Sequence, residues 1–245
     1  MTNITTNDQF IPVTEKEKTE KKENPVQYYV KFSFMITYTL LLTTGIITFV
    51  EAMRTKVDTI RHLMNLETCI SLVAGYFYSI FISKIGEFET QGIPIEWKEI
   101  TKTRYVDWSI TTPLMLLTLT IALAYNIGKK VELGSLLTIL GMNYAMLYIG
   151  YMGELNQLGK WTAMIFGFVP FGIMFSIIYY KYVKPKYRFD NYILYFIYLI
   201  VWGLYGIVYM FSEEYKNIGL NFLDCTAKCF IGLGLWIYYI RVIRL

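Results

Sequence analysis

Six ionisable residues stand inside otherwise apolar stretches of this chain of 245 residues: Lys31, Glu67, Arg104, Asp107, Asp224 and Lys228. A charge at the centre of a bilayer costs at least about 2.5–3.5 kcal/mol on insertion scales, so such groups are kept for ion pairing, proton relay or ligand attachment. Asp224 and Lys228 occur in Leu223-Asp224-Cys225-Thr226-Ala227-Lys228-Cys229, an i, i+4 spacing that puts both side chains on one helix face. A second segment reads Arg104-Tyr105-Val106-Asp107-Trp108-Ser109-Ile110-Thr111-Thr112-Pro113-Leu114, and on a helix Asp107, Thr111 and Thr118 fall on roughly one stripe. Two carboxylates, a lysine and an arginine can therefore meet in a bundle interior, either as ion pairs that lock helices together or as a proton-handling site.

The elements that must position them are apolar runs at about 27–50, 62–83, 104–127, 134–152, 161–183, 191–211 and 218–240. Each is long enough to cross a bilayer as a helix. Composition agrees: 55% of residues are hydrophobic and 17% charged, where a soluble domain carries about a quarter charged. The expected fold class is an all-α, seven-transmembrane-helix bundle, an integral multi-pass membrane protein in contact with the lipid bilayer. Residues 1–26 are polar, lack the apolar core of a signal peptide, and read as a flexible tail ahead of a membrane domain at 27–245.

Basic residues give the orientation, because Lys and Arg in short loops stay on the cytoplasmic side. One set of loops carries 11 basic residues against the four acids Glu51, Asp58, Glu132 and Asp190; the other, with the tail, carries nine basic and 12 acidic. The N-terminus is expected outside and the C-terminus cytoplasmic. The net charge of +4 is not gathered on a helix face or groove, which disfavours nucleic acid as a partner. Cys69, Cys225 and Cys229 all lie within apolar runs and suit packing better than a disulfide framework, and their spacing lacks the ligands of a closed metal site.

The Arg104–Leu114 segment resembles the third-helix signature of microbial (type 1) rhodopsins, and Asp224-x-x-x-Lys228 resembles their seventh-helix attachment site. The resemblance extends over residues 27–243 and excludes an enzyme. It implies all-trans retinal bound covalently to Lys228 as a protonated Schiff base, with Asp107 and Asp224 as counter-ions and Arg104 just outside them. A buried imine cation is tolerable because nearby carboxylates favour its charged form. The resemblance further implies a retinal pocket of Trp108, Thr112, Met115, Met146, Gly150, Trp202, Tyr205 and Tyr209, with Asn143 one turn before Met146. Gly206 departs from the family, many of whose members carry Pro there. Tyr78 is the expected hydrogen-bond partner of Asp224. On the fifth helix, Phe168, Phe171 and their neighbours remain alternatives. Met115 implies green absorption, since Gln at this place suits blue in relatives.

Outward proton pumps of the family usually carry a second carboxylate 11 residues beyond the first counter-ion, where this chain has Thr118. Glu67 stands 11 residues before Tyr78 on the second helix. At 1.5 Å per residue both Glu67 and Thr118 are displaced by about 16 Å toward the cytoplasm, so they should share one depth. Glu67 could then hold a proton for the Schiff base, replace the missing donor, and complete a pathway with Arg104, Thr111, Thr118 and Tyr78. It could instead line a cation path, with Thr118 and Asn65 as polar company, or only bond neighbouring helices.

Three functions are thus expected, in this order: a light-driven outward proton pump, a light-gated channel for monovalent cations, and a sensory photoreceptor. The last would need a separate transducer. The chain is rich in Ile, Tyr, Lys and Asn relative to Ala, as are many proteins of AT-rich genomes, including those of large viruses and their hosts, a compositional association that leans toward the channel reading, since some viral rhodopsins are channels. Relatives form trimers or pentamers, so a homo-oligomer is expected, with Gly150 and Gly153 permitting close helix approach. Glu213, Glu214 and His62 read as solvated groups at the membrane surface.

Overall fold

The computed structural model describes residues 25–242. The tail proposed at residues 1–26 therefore lies almost wholly outside the described residues. Among those described, seven helical spans are long and apolar enough to cross a membrane, and no strand is present. They are α1 (Pro25–Arg54), α2 (Asp58–Gln91), α3 (Trp97–Asn126), α4 (Leu133–Glu154), α5 (Lys160–Ile178), α6 (Phe189–Val208) and a composite seventh span. A π-helical turn, Tyr179–Val183, prolongs α5. The seventh span runs through α7 (Glu213–Asp224), a π-helical segment (Cys225–Phe230), α8 (Ile231–Trp236) and a second π-helical segment (Ile237–Val242).

Helices α1, α2 and α4 outrun their apolar runs at both ends and α3 at its start, because a helix continues through polar residues as long as its backbone bonds can be made, whereas α6 stops at Val208, inside its run. The loops are short, which forces antiparallel neighbours. At the end of α2, Gly92 takes a left-handed φ of 67° and its N–H bonds the Glu89 and Phe88 carbonyls, a geometry that glycine adopts without steric cost. Helix α1 packs along α2, α4 along α5, and the bundle closes where α7 meets both α1 and α6. Helices α3 and α7 are the most buried, which centres the two charged motifs.

Polarity is inverted relative to a soluble domain. Phe49, Met53, Tyr148, Trp161 and Phe222 face outward, where lipid accepts them, while Arg104, Asp107, Asp224 and Lys228 are buried. Cys69 is exposed, whereas Cys225 and Cys229 are buried, and all three are free. Two prolines lie within helices, Pro113 in α3 and Pro170 in α5. Pro113 has no N–H for the carbonyl of Ser109, and that carbonyl instead accepts the Tyr144 hydroxyl of α4 at 3.1 Å. Where the π-helical segment that carries Lys228 begins, the Asn221 carbonyl accepts the Cys225 N–H and, in addition, Thr37 Oγ1 of α1 at 3.3 Å.

Candidate functional site

Lys228 occupies the π-helical segment of the seventh span, and its side chain is 1% exposed. Its Nζ donates to Asp107 Oδ2 of α3 at 2.8 Å and stands 3.7 Å from Asp224 Oδ1. Arg104, one turn from Asp107, reaches Asp224 Oδ2 from the other side at 3.2 Å. Two buried cations and two buried carboxylates thus balance, the condition under which such groups tolerate removal from water.

The carboxylates differ in their surroundings. Asp224 accepts from Tyr78 Oη at 2.8 Å, Tyr205 Oη at 2.8 Å, Trp108 Nε1 at 3.3 Å and Arg104 at 3.2 Å. Asp107 has Lys228 and one further side-chain donor, Thr111 Oγ1 at 3.3 Å. Protonating Asp224 would disturb four ordered bonds, and protonating Asp107 far fewer. The guanidinium of Arg104 lies over the Phe34 and Phe81 rings at 5.4 and 5.0 Å, and donates to Asn217 and Asn221 at 3.1 and 2.7 Å.

Asn217 and Asn221 carry no motif and were not anticipated from the sequence. The signal was present in their spacing: with Asp224 they fall at i, i+4 and i+7 on one face of α7. A second unanticipated cluster closes the same end of the bundle, where Lys216 Nζ bonds Glu154 of α4 at 2.8 Å and Glu213 at 2.9 Å. Glu213 is therefore an ion-pair partner and not merely a solvated acid.

An apolar cavity opens beside Lys228 and is walled by Trp108, Met115, Met146, Phe171 and Trp202. Thr112, Gly150, Tyr205 and Tyr209 complete the set of pocket residues anticipated from the sequence, and Phe168 also reaches the cavity. Asn143 donates to Thr112 Oγ1 at 2.9 Å and so supports the wall from behind. Gly150 and Gly153 work inside the protein: a Cβ at Gly150 would approach the Tyr105 hydroxyl to 2.8 Å, and one at Gly153 would collide with Tyr209 and Ala163. Both glycines thus permit close approach of neighbouring elements within the chain, Gly150 beside Tyr105 of α3 and Gly153 beside Ala163 of α5. Gly206 has a similar cause, because a Cβ there would lie 2.5 Å from Cζ of Phe168. The chemistry of the lining suits a long apolar molecule with a carbonyl at one end: aromatic and thioether walls suit a polyene, and Lys228 in the wall offers an amine that forms an imine.

Glu67 lies on the interior face of α2 and is 2% exposed. Its Oε2 points at Gly232, one turn beyond Lys228, where a Cβ would come within 2.6 Å. Thr118 is also buried, and its hydroxyl has no partner within the protein. Asn65, expected beside them, is exposed on the opposite face of α2, because two residues on a helix turn the side chain through about 200°. His62 is exposed at the end of α2. Among the described residues no group of three or more His, Cys, Asp or Glu could hold a metal ion.

Comparison with known proteins bears on the family and the fold. The family described as bacteriorhodopsin-like protein matches residues 5–242. The crystal structure of viral rhodopsin OLPVRII is 41% identical, with a TM-score of 0.80 over 87% of this chain and 98% of that one. The green-light absorbing proteorhodopsin of Gamma-proteobacterium EBAC31A08 is 26% identical over 230 residues, 85% of each chain. The proton pumping rhodopsin AR2 of the marine alga Acetabularia acetabulum shares the fold at 19% identity, with a TM-score of 0.70 over 89% of this chain and 97% of that one.

Proposed function

We propose a function from the premise that this chain belongs to the bacteriorhodopsin-like family, the microbial (type 1) rhodopsins: it is a light-driven outward proton pump. The observation that carries the pump reading is Glu67, a buried carboxyl whose Oε2 points at Gly232, one helical turn past Lys228. Lys228 would hold retinal through an imine at Nζ, and the bound chromophore would supply light absorption and photoisomerisation.

The protein's own groups supply the rest. Asp107 Oδ2, at 2.8 Å, is the acceptor of the Nζ proton, and Thr111 steadies the other carboxylate oxygen. Asp224 remains the anchored partner, since Tyr78, Tyr205, Trp108 and Arg104 spend their hydrogen bonds on it. Arg104, tied to Asn217 and Asn221, carries the disturbance toward the α7 start, the side from which the proton leaves. Glu67 returns a proton to Nζ from the opposite side, so access alternates across the Asp107–Lys228 pair. The wall of Trp108, Met115, Met146 and Trp202 excludes water from the Nζ and fixes the chromophore, and Met115 favours green absorption.

The same reading puts the N-terminus outside and the C-terminus in the cytoplasm, with residues 27–245 as one retinal-binding unit that assembles as a trimer or pentamer. The sign of the loop charges supports the orientation. Illuminated cells expressing the protein with retinal should acidify their medium. A protonophore should abolish that signal, as should K228A, which removes the attachment amine; acidification that survives K228A would refute the reading.

A further inference from the structure

One face of α1 takes no part in these steps yet is built of polar residues. Thr44, Thr48 and Glu51 recur at i, i+4 and i+7, a single helical face, Thr55 follows just past the helix end, and all four are buried. The register between α1 and α2 is fixed by two contacts. Thr48 and Thr68 share a hydroxyl hydrogen bond of 2.9 Å, and a Cβ at Gly45 would meet Ser71 Cβ at 3.3 Å.

This register orders the polar groups along the seam. Glu67 adjoins Thr68 and so lies level with Thr48. Glu51 is three residues nearer the end of α1, about 4.5 Å by helical rise. Thr44 and Ser71 lie about a turn the other way, on the side of Lys228; Thr44 also flanks the Gly232 gap into which Glu67 points. Past Glu51 and the end of α1 comes Thr55, also buried.

Two hydroxyls of this seam, Ser71 Oγ and Thr55 Oγ1, are buried without a hydrogen-bond partner in the protein, and the Thr44 hydroxyl meets the Cys229 thiol. An unmade hydrogen bond of this kind costs about 1–3 kcal/mol, and such positions are where protein interiors bind water. Glu51 joins the seam to the solvent: its side chain is 10% exposed, and the Arg54 guanidinium, 70% exposed, stands 3.6 Å from it.

We propose that Glu51 is the proton-uptake residue of the cycle, taking a proton at the α1–α2 end of the bundle and passing it along the Thr48–Thr68 seam to Glu67. The proposal rests on reading Glu67 as the donor to Lys228 Nζ. One O–H bond breaks on Glu51 as one forms on Glu67, and Glu51 regains its proton from bulk water; no electrons are exchanged.

The test uses the full-length, retinal-loaded protein in vesicles under single laser flashes. Visible absorbance follows reprotonation of Nζ, and a pH-indicating dye follows uptake from the bath. In E51Q the Nζ step should keep its rate while uptake slows at least about tenfold. Azide, a small diffusible proton carrier, should restore uptake, a rescue that a merely structural role would not show. T48V, which retains both carboxylates, should slow uptake by a smaller factor and serves if E51Q does not fold. Wild-type uptake in E51Q and T48V, or slow uptake that azide leaves unchanged, would overturn the role of Glu51. The donor reading is separately exposed: an Nζ step of wild-type rate in E67Q would remove it, and the proposal for Glu51 with it.

Discussion

At the scale of single residues the site depends on an asymmetry between two carboxylates that share one lysine. Asp224 is held by four side-chain donors besides Lys228, and Asp107 by one. D107N should therefore reduce light-driven proton release to background, because it removes the acceptor at 2.8 Å and leaves Lys228 only the 3.7 Å contact with Asp224. Breaking a buried pair in this way costs about 3–5 kcal/mol, so the variant should also lose its visible absorbance at a lower temperature than wild type. Flash photolysis and a thermal scan at the visible band check both outcomes. Met115 lines the cavity without a polar atom that could bond a ligand, and M115Q should move the absorption maximum from green toward blue. The residues that perform this chemistry were legible where they form a motif: spacing brings the four charges together, while their roles and the place of Tyr78 follow from the resemblance to the microbial rhodopsins. Asn217 and Asn221 were not, because an isolated asparagine on a helix is common and only the position of the Arg104 guanidinium gives these two a role.

At the scale of elements, the seven spans were legible because hydrocarbon thickness fixes the length of an apolar run. The helix ends and the fifth-helix register were not. Continuation of α2 to Gln91 and of α3 back to Trp97 runs through charged residues that hydropathy reads as loop, and those turns are joined across helices by the Lys84–Glu99 pair. Phe168 and Phe171 could be ranked only once α5 was packed on α6. Phe171 lies tilted against Phe175, which meets Trp202 edge-on, while Phe168 fills the gap over Gly206. That gap explains a departure from family habit as a matched pair of residues. G206A should cost about 1–3 kcal/mol through overpacking against Phe168, and F168A in the same chain should recover part of the loss. A double-mutant cycle on thermal stability measures the coupling; additive effects would mean that the ring does not occupy the gap.

At the scale of the whole molecule, the bundle is tied at one end by ions and divided at its middle by the Asp107–Lys228 pair. Lys216, 1% exposed, joins α7 to Glu154 at the end of α4. K216M would leave two carboxylates without their cation and should lower the thermal midpoint markedly, with a smaller loss when E154Q is added. Scans of the single and double variants check this order. Outward pumping requires that the two sides of the central pair never be open together, and this distinguishes a pump from a pore built on the same helices. The decisive measurement is the light-induced current of the retinal-loaded protein under voltage clamp, in wild type and in E67Q. An outward current that keeps its sign through zero and negative voltages, with slower reprotonation of Lys228 Nζ in E67Q, is the result predicted here. A current that reverses with the imposed cation gradient would contradict it and make Glu67 part of a pore.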